Sequence, residues 1–511
     1  MSGRQDGYFQ QKYSIVISGN VEKLMKEGFI ARTGAEPVAI QLPMAWQHHD
    51  RNIAFNLHAW RFLNPVWQAL FDTADSEYFS LALKFMQDWY EHEQQREHSH
   101  FCWYDMSTGI RAMHLALAIE YVNEHRLEIS NAEAVLLRSL ADRHYHKLHD
   151  ATFITKGNHA IYQIIGLRLL STSSDYECID FCTQQLTKLI DEAFDENAVC
   201  TENSPFYHHY HISIFSHIQP SLFASLADKL KHTLDKAKTN SAWFTSPVGS
   251  YYQIGDTEGR GSLLRPNAFT SEKLTKHFVV KDLASSGYQI VRDVTLKEGF
   301  ALIFYAANQS YNHSHSDHLS FILYFKGIEL FSDSGKFSYE KDAWRDYFIS
   351  DAAHNTVGLL GRRFMPLDIK LGQAELFPIR INADKIMLRG LVKRGPLWHQ
   401  RSVTLRERQL HISDDVENLS DNLIELRWHL AEGVSLEQTG EFCFELIHEQ
   451  KALARLRLQA CISASIVCGQ VTPEIQGWIS RSYHQKCAAI TLVVHYPANE
   501  TLIQTTVELL N

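Results

Sequence analysis

The sequence predicts a multidomain α+β chain, with an all-helical N-terminal half followed by an antiparallel β-sandwich. Three observations lead there. At 511 residues, the chain is longer than one ordinary hydrophobic core accommodates. Up to about residue 235 apolar residues recur at three- and four-residue spacing, and from about residue 285 they recur at every second position. Those are the periods of an amphipathic helix and of a half-buried strand. A stretch punctuated by Gly, Ser and Pro, with neither period, separates the two. The expected domains are therefore 1–235, 236–285 as linker and loop-rich segment, and 286–511.

The elements follow in order. Residues 21–28 end on Gly28, a helix C-cap signal. Segments 66–72, 78–91, 110–123, 131–148, 160–170 and 178–194 carry helical periodicity between short polar turns, which reads as successive antiparallel helix pairs. No fixed-length repeat marks a regular solenoid. In the middle segment, the glycines of Gly255-Asp256-Thr257-Glu258-Gly259-Arg260-Gly261 look like those of a phosphate loop. The Lys-Ser/Thr ending and the strand-to-helix context that make such a loop work are missing. Together with Arg265-Pro266 this region reads as a linker over a cleft. Segments 288–294, 301–305, 401–406, 410–416 and 489–495 alternate between Gly, Asn and Asp turns, the pattern of a large antiparallel sandwich.

Composition narrows the function classes. Hydrophobic residues make up 45% and charged residues 21%, the balance of a water-soluble globular chain. The net charge of −10 argues against a nucleic-acid partner, and an acidic polymer would need a local basic cleft. The aromatic content of 12% suits either a carbohydrate cleft or a large core. The eight cysteines form no CxxC pair, which argues against a thiolate zinc site and for reduced, mostly buried thiols. No run is long and apolar enough for a membrane span. No secretory h-region follows Met1, so a cytoplasmic location is expected, with the periplasm as the alternative.

The densest chemistry lies between Asn312 and Val357. His313 and His315 are two apart on what reads as an extended segment, so they would face one side. Asp333 ends the next apolar run, and His354 arrives by a loop. Imidazole plus carboxylate suits zinc, and an imidazole the metal does not need is available for proton transfer. One of the two histidines, with Asp333 and His354, forms either that ligand set or a metal-free hydrogen-bond network. A second cluster, Glu202 to His217, opens a helix at Pro205 that Asn203 or Ser204 caps. It places Tyr207 and His211 one turn apart, with His208 and Tyr210 beside them. A third, Asn158-His159, sits near a helix N-terminus, where partial positive charge favours an anion; an ordinary N-cap Asn is the competing explanation.

Taken together, Asn158-His159, Glu202-x-Ser204-Pro205-x-Tyr207-His208, His313-x-His315-x-Asp317-x-Leu319-Ser320-Phe321, Asp333-x-Gly335 and His354-Asn355-Thr356-Val357 resemble the heparinase II/III-like polysaccharide lyases. The resemblance implies an N-terminal incomplete α/α toroid, a C-terminal antiparallel β-sandwich, and β-elimination on uronic-acid-containing glycans. It implies that Asn158 and His159 neutralise the substrate carboxylate, that Tyr207 transfers a proton, and that His313 acts as base or supports Tyr207. It implies a structural Zn2+ on His315, Asp333 and His354, and an anionic polysaccharide or oligosaccharide as partner. Glu202, His208, Trp103, Arg111 and Arg345 are the expected substrate-side residues, with Arg362 and Arg363 as further guanidinium candidates. Tyr210 is the rival to Tyr207, one turn on. Two other functions compete: a non-catalytic glycan-binding or capsule- or exopolysaccharide-biosynthesis accessory protein with this fold, and a zinc-dependent hydrolase using a metal-activated water.

Overall fold

The computed structural model describes residues 2–32, 35–95, 99–125, 127–174, 176–258, 273–275, 277–294, 299–383 and 385–510. Gly259, Arg260, Gly261, Arg265 and Pro266, part of the expected linker, lie outside the described residues. The chain divides into two compact units, one comprising residues 1–193 and 213–234 and the other 194–212 and 235–511.

The first unit is helical, and its polar punctuation accounts for where helices begin. Asp50 accepts from the backbone N–H groups of Asn52 and Ile53 to open Arg51–His58. Asp75 does the same for Glu77 at the start of Ser76–Glu93. Ser130 and Glu133 form a reciprocal capping box at Asn131–Leu148. Asp105–His125 and Gly157–Ser173 are buried nearly all round, and they touch at Gly109 and Gly166. A Cβ on Gly109 would stand 2.5 Å from the Tyr162 carbonyl oxygen, and one on Gly166 would strike the Gly109 carbonyl. This backbone contact sets how the two helices cross. Among the described residues no helix is long and apolar enough to cross a membrane.

The second unit is antiparallel. A six-stranded meander runs from Lys273–Leu274 through Phe278–Leu283, Tyr288–Asp293, Ala301–Tyr305 and Ser320–Phe325 to Ile328–Phe331. An eight-stranded sheet has at its centre Gln409–Asn418 between Leu397–Arg406 and Leu502–Leu509. A four-stranded sheet contains Ile424–His429 and Ile490–Tyr496. Alternation sorts the meander's side chains. Val280, Val291, Leu302, Phe304, Phe321 and Leu323 face a core shared with the other two sheets. Val279, Ile290, Ile303, Tyr305, Ile322 and Tyr324 face the opposite way, where Trp243, Phe244, Tyr252 and Ile254 cover them. Much of 236–258, read from sequence as linker, is thus packed cover for a sheet, with Trp243, Phe244, Tyr252 and Ile254 supplying the buried apolar face of a largely polar run.

Two buried arginines rise from the eight-stranded sheet beneath the loops that carry the chemistry. Arg394 donates to the carbonyls of His318 (2.8 Å) and Val357 (2.8 Å). Arg401 donates to the carbonyls of Leu319 (2.7 Å) and Asn355 and pairs with Asp414 through Nε (2.6 Å) and Nη2 (3.1 Å). His399 supplies a third partner to Asp414 at 2.7 Å.

Candidate active site

In the second unit, Ser204 Oγ takes the N–H of Tyr207 at 3.5 Å, at the start of helix Pro205–Ser216. The Tyr207 ring lies flat on the His313 imidazole, with centroids 3.5 Å apart and planes 12° from parallel. Its hydroxyl is 3.1 Å from that of Tyr339. Burial raises the Tyr207 phenol above its ordinary range, so the neutral hydroxyl is the resting form at neutral pH. Tyr210 packs edge-on against Tyr207 and parallel to Phe206.

His313 does not lie on a strand. Residues 312–319 form a loop before Ser320–Phe325, and His313 has a left-handed φ of 56°. The run Asn312-His313-Ser314-His315-Ser316-Asp317 has no apolar or β-branched residue to pair into a sheet, and its backbone bonds elsewhere: the Ser316 N–H donates to Ile349 and the His313 carbonyl accepts from Asp256. His313 Nδ1 is 3.0 Å from Asp256 Oδ2, and Nε2 is 3.5 Å from Glu202 Oε2. Glu202, buried, is equally 3.5 Å from His211 Nε2. Burial alone would lower the His211 imidazole; Cys200 and Glu202 overcome it and raise it to about 10.

Asp256 joins these groups. Its carboxylate, 1% exposed, takes His313 and His315 (each 3.0 Å) and both Nη atoms of Arg345 (2.6 and 3.1 Å). Burial opposes the charge, but the two imidazoles and the guanidinium hold the carboxyl well below its usual range. Gly255 makes this approach possible: its φ is +56°, and a Cβ there would lie 2.6 Å from the His313 oxygen and 2.7 Å from the Asn203 oxygen. Tyr339, partly exposed, receives Lys336 Nζ at 3.3 Å, and Lys336 pairs with Glu258 at 3.1 Å.

His315, Asp333 and His354 are fully buried, with candidate donor atoms all within 4.8 Å of one another. Asp333 Oδ2 accepts from Tyr305 (2.7 Å) and lies 2.7 Å from His354 Nδ1, and its Oδ1 takes the Gly335 N–H. His315 Nδ1 and His354 Nε2 are buried without a partner. Two orphaned imidazole nitrogens beside a carboxylate fit a tetrahedral N/O metal ion with one position to spare. The other His/Cys grouping among the described residues, His58, His92 and Cys102 in the first unit, fits poorly. Both ring nitrogens of His58 are taken, by Trp89 Nε1 and the Trp46 carbonyl, and burial pushes the Cys102 thiol up to about 11.

Several expected substrate-side residues lie elsewhere. His208 is 1% exposed, with Nδ1 on the Cys200 N–H and Nε2 on the Ala237 carbonyl, so it is a core residue. Arg345 turns its fork onto Asp256. Arg363 reaches Glu474 and the Ile475 carbonyl. In the first unit, Arg111 is fully buried against the Trp89 ring (4.2 Å) and donates to His144 and to the His58 and Cys102 carbonyls; no donor face remains for substrate. Trp103 is half-buried, its indole N–H on Glu93, at a pocket of about 460 Å³ lined also by Arg143 and Lys147. Lys156 stands at the N-cap of Gly157–Ser173 without a side-chain cap bond, so Asn158 lies inside the first turn rather than capping it. Asn158 is half-buried, and His159 is oriented by Asp105 through Nδ1 at 3.0 Å.

Residues 276–506 match the family model described as heparinase II/III-like, C-terminal. Solved structures match over both the helical part and the strand-rich part. Heparinase III aligns with a TM-score of 0.76 at 16% identity, covering 98% of this chain and 85% of that one. The heparan sulfate lyase of Pedobacter heparinus aligns at 0.63 and 16%, covering 99% and 88%. The chondroitin AC lyase of Streptomyces coelicolor aligns at 0.56 and 9%, covering 99% and 83%. The fold is accordingly that of an N-terminal incomplete α/α toroid followed by a β-sandwich. No curated protein matches the chain in sequence.

Proposed function

We propose that this chain is a polysaccharide lyase that cleaves uronic-acid-containing glycans by β-elimination. The observation that carries the reading is the Tyr207 phenol stacked on His313, inside a cluster of ionised partners. Elimination needs an acid for the leaving O4 and a base for the proton on C5. Tyr207 rests protonated and is suited to be the acid: its O–H proton passes to O4 as the C4–O4 bond breaks. His313 is the base, and its imidazole takes the C5 proton. The Tyr339 hydroxyl, 3.1 Å from that of Tyr207, suits reprotonation of the Tyr207 phenolate between turnovers, while the C5 proton leaves His313 to water. Electrostatic stabilisation of the enolate-like state falls to Asn158, whose half-buried amide sits beside a helix N-terminus, and to His159. His315, Asp333 and His354 would hold a Zn2+ whose contribution is structural, tying together the loops of the sandwich domain. An anionic polysaccharide substrate is supported by the similar structures, a heparan sulfate lyase and a chondroitin AC lyase.

The test is an ultraviolet assay for 4,5-unsaturated uronate with heparan sulfate, chondroitin sulfate, hyaluronan, alginate and polyglucuronate. Wild type should raise the absorbance on at least one, and Tyr207→Phe should lower kcat by roughly 10²–10⁴-fold with the fold intact. No product from any polymer by folded, metal-loaded protein would sink the lyase reading in favour of an accessory glycan-binding role.

A further inference from the structure

We propose that Asp256 is a positioning residue that sets opposite tautomers in His313 and His315, and so prepares one imidazole for proton transfer and the other for metal binding. The inference rests on the lyase and metal readings for the roles of the two histidines, but its geometry stands apart from them.

A carboxylate has about four lone-pair sites and, when ionised, no proton to give. Asp256 uses all four: Oδ1 faces His315 Nε2 and Arg345 Nη1, and Oδ2 faces His313 Nδ1 and Arg345 Nη2. Pairing with the guanidinium keeps the group ionised, so each imidazole nitrogen that meets it must carry the hydrogen. The two histidines meet it through different atoms. His313 gives Nδ1–H to Asp256, which leaves Nε2 as the position that takes up and releases a proton. His315 gives Nε2–H, which leaves a lone pair on Nδ1. That nitrogen is one of the two buried, unpartnered ring nitrogens beside Asp333. The partner hydrogen bond fixes which nitrogen of a histidine is available for a metal. Here one carboxylate does this for a metal-side and a reaction-side histidine at once. Gly255 and the Asp256 N–H to His313 carbonyl bond (3.1 Å) lock the carboxylate to the same loop that it orients.

Asparagine in this position has one acceptor oxygen and one donor nitrogen, so it cannot satisfy both imidazoles as wild type does. One histidine must flip its tautomer or lose the bond. The experiment is a two-bond 15N–1H correlation spectrum of protein labelled at histidine, zinc-loaded, with His313→Gln and His315→Gln used to assign the two rings. Wild type should show hydrogen on Nδ1 of His313 and on Nε2 of His315. Asp256→Asn should invert one pattern, and either its zinc affinity, from chelator competition, or its kcat should fall roughly 10–100-fold, with KM changed less than kcat. Hydrogen on the same ring nitrogen in both wild-type histidines, a doubly protonated His313 at neutral pH, or an Asp256→Asn spectrum with both patterns unchanged would overturn the proposal. Should Asp256→Asn fail to fold, the wild-type spectrum alone still decides it. A protein without lyase activity that shows the opposite tautomers would end the lyase reading and leave this one standing.

Discussion

Replacing Arg401 by leucine tests whether the buried charge under the site loops is a structural support. Arg401 and Asp414 are both fully buried. The substitution removes the bidentate pair and two bonds to loop carbonyls and leaves a carboxylate with only His399 beside it. Breaking a buried pair from one side costs about 3–5 kcal/mol. The pH dependence gives an independent bound. Burial would raise the Asp414 carboxyl, yet Arg401 and His399 bring it down to about 2, against roughly 3.9 when unfolded. A difference of about two pK units is worth roughly 2.5 kcal/mol. Because the folded value is depressed, this stability is complete above about pH 4 and is lost as pH falls through about 2. In Arg401→Leu the carboxyl is no longer depressed and protonates earlier, so the gap between wild type and variant should narrow below about pH 4. Hydrogen exchange of the Leu397–Arg406 and Gln409–Asn418 amides, read by mass spectrometry, reports opening of this sheet without requiring the two units to unfold together. The double variant Arg401→Leu/Asp414→Leu should recover part of the loss, since no charge is left unpaired. A loss under about 1 kcal/mol at neutral pH, or a gap that widens on acidification, would refute the reasoning.

Gly255→Ala forces a side chain into a left-handed backbone between two carbonyl oxygens; it should destabilise the second unit by at least about 1–2 kcal/mol and lower kcat, and a neutral effect in thermal melts and turnover would contradict the packing argument. Asn158→Ala removes a half-buried amide and should reduce kcat/KM about tenfold or more on whichever polymer is cleaved, while a variant equal to wild type would remove Asn158 from the substrate reading. Prolonged chelation should lower the melting temperature before it lowers initial rates; immediate, zinc-reversible inactivation with no change in melting would favour the metal-activated hydrolase instead.

Much of the architecture was legible because periodicity survives in single sequences. The helical segments and alternating strands read from spacing match helices such as Asn131–Leu148 and strands such as Leu397–Arg406. His315, Asp333 and His354 also converge: His315 precedes the strand Ser320–Phe325, Asp333 follows Ile328–Phe331, and His354 precedes Val357–Leu359. Other features depend on long-range contacts. Asp256 lies 57 positions before His313, in a Gly-rich run whose only local signal suggested a phosphate loop; nothing near it in sequence announces two imidazoles and a guanidinium. Arg111 and Arg345 are polar residues whose partners are supplied by the fold, so exposure was the natural expectation; Arg111 is instead fully buried and Arg345 half-buried. The position of His313 on a loop was foreshadowed by the absence of apolar residues around it, a signal outweighed by the two-residue spacing of the histidines.

Arg394 and Arg401 hold the loops of the sandwich domain by their carbonyl oxygens. Every residue type offers the same carbonyl, so these grips are indifferent to the side chains above them. The path of the chain through Ser316–Leu319 and Asn355–Val357 is therefore insulated from changes in its own lettering. Such a scaffold lets residues at the rim be exchanged one at a time while the backbone stays where it was, and it marks these loops as the place to begin altering what the site accepts.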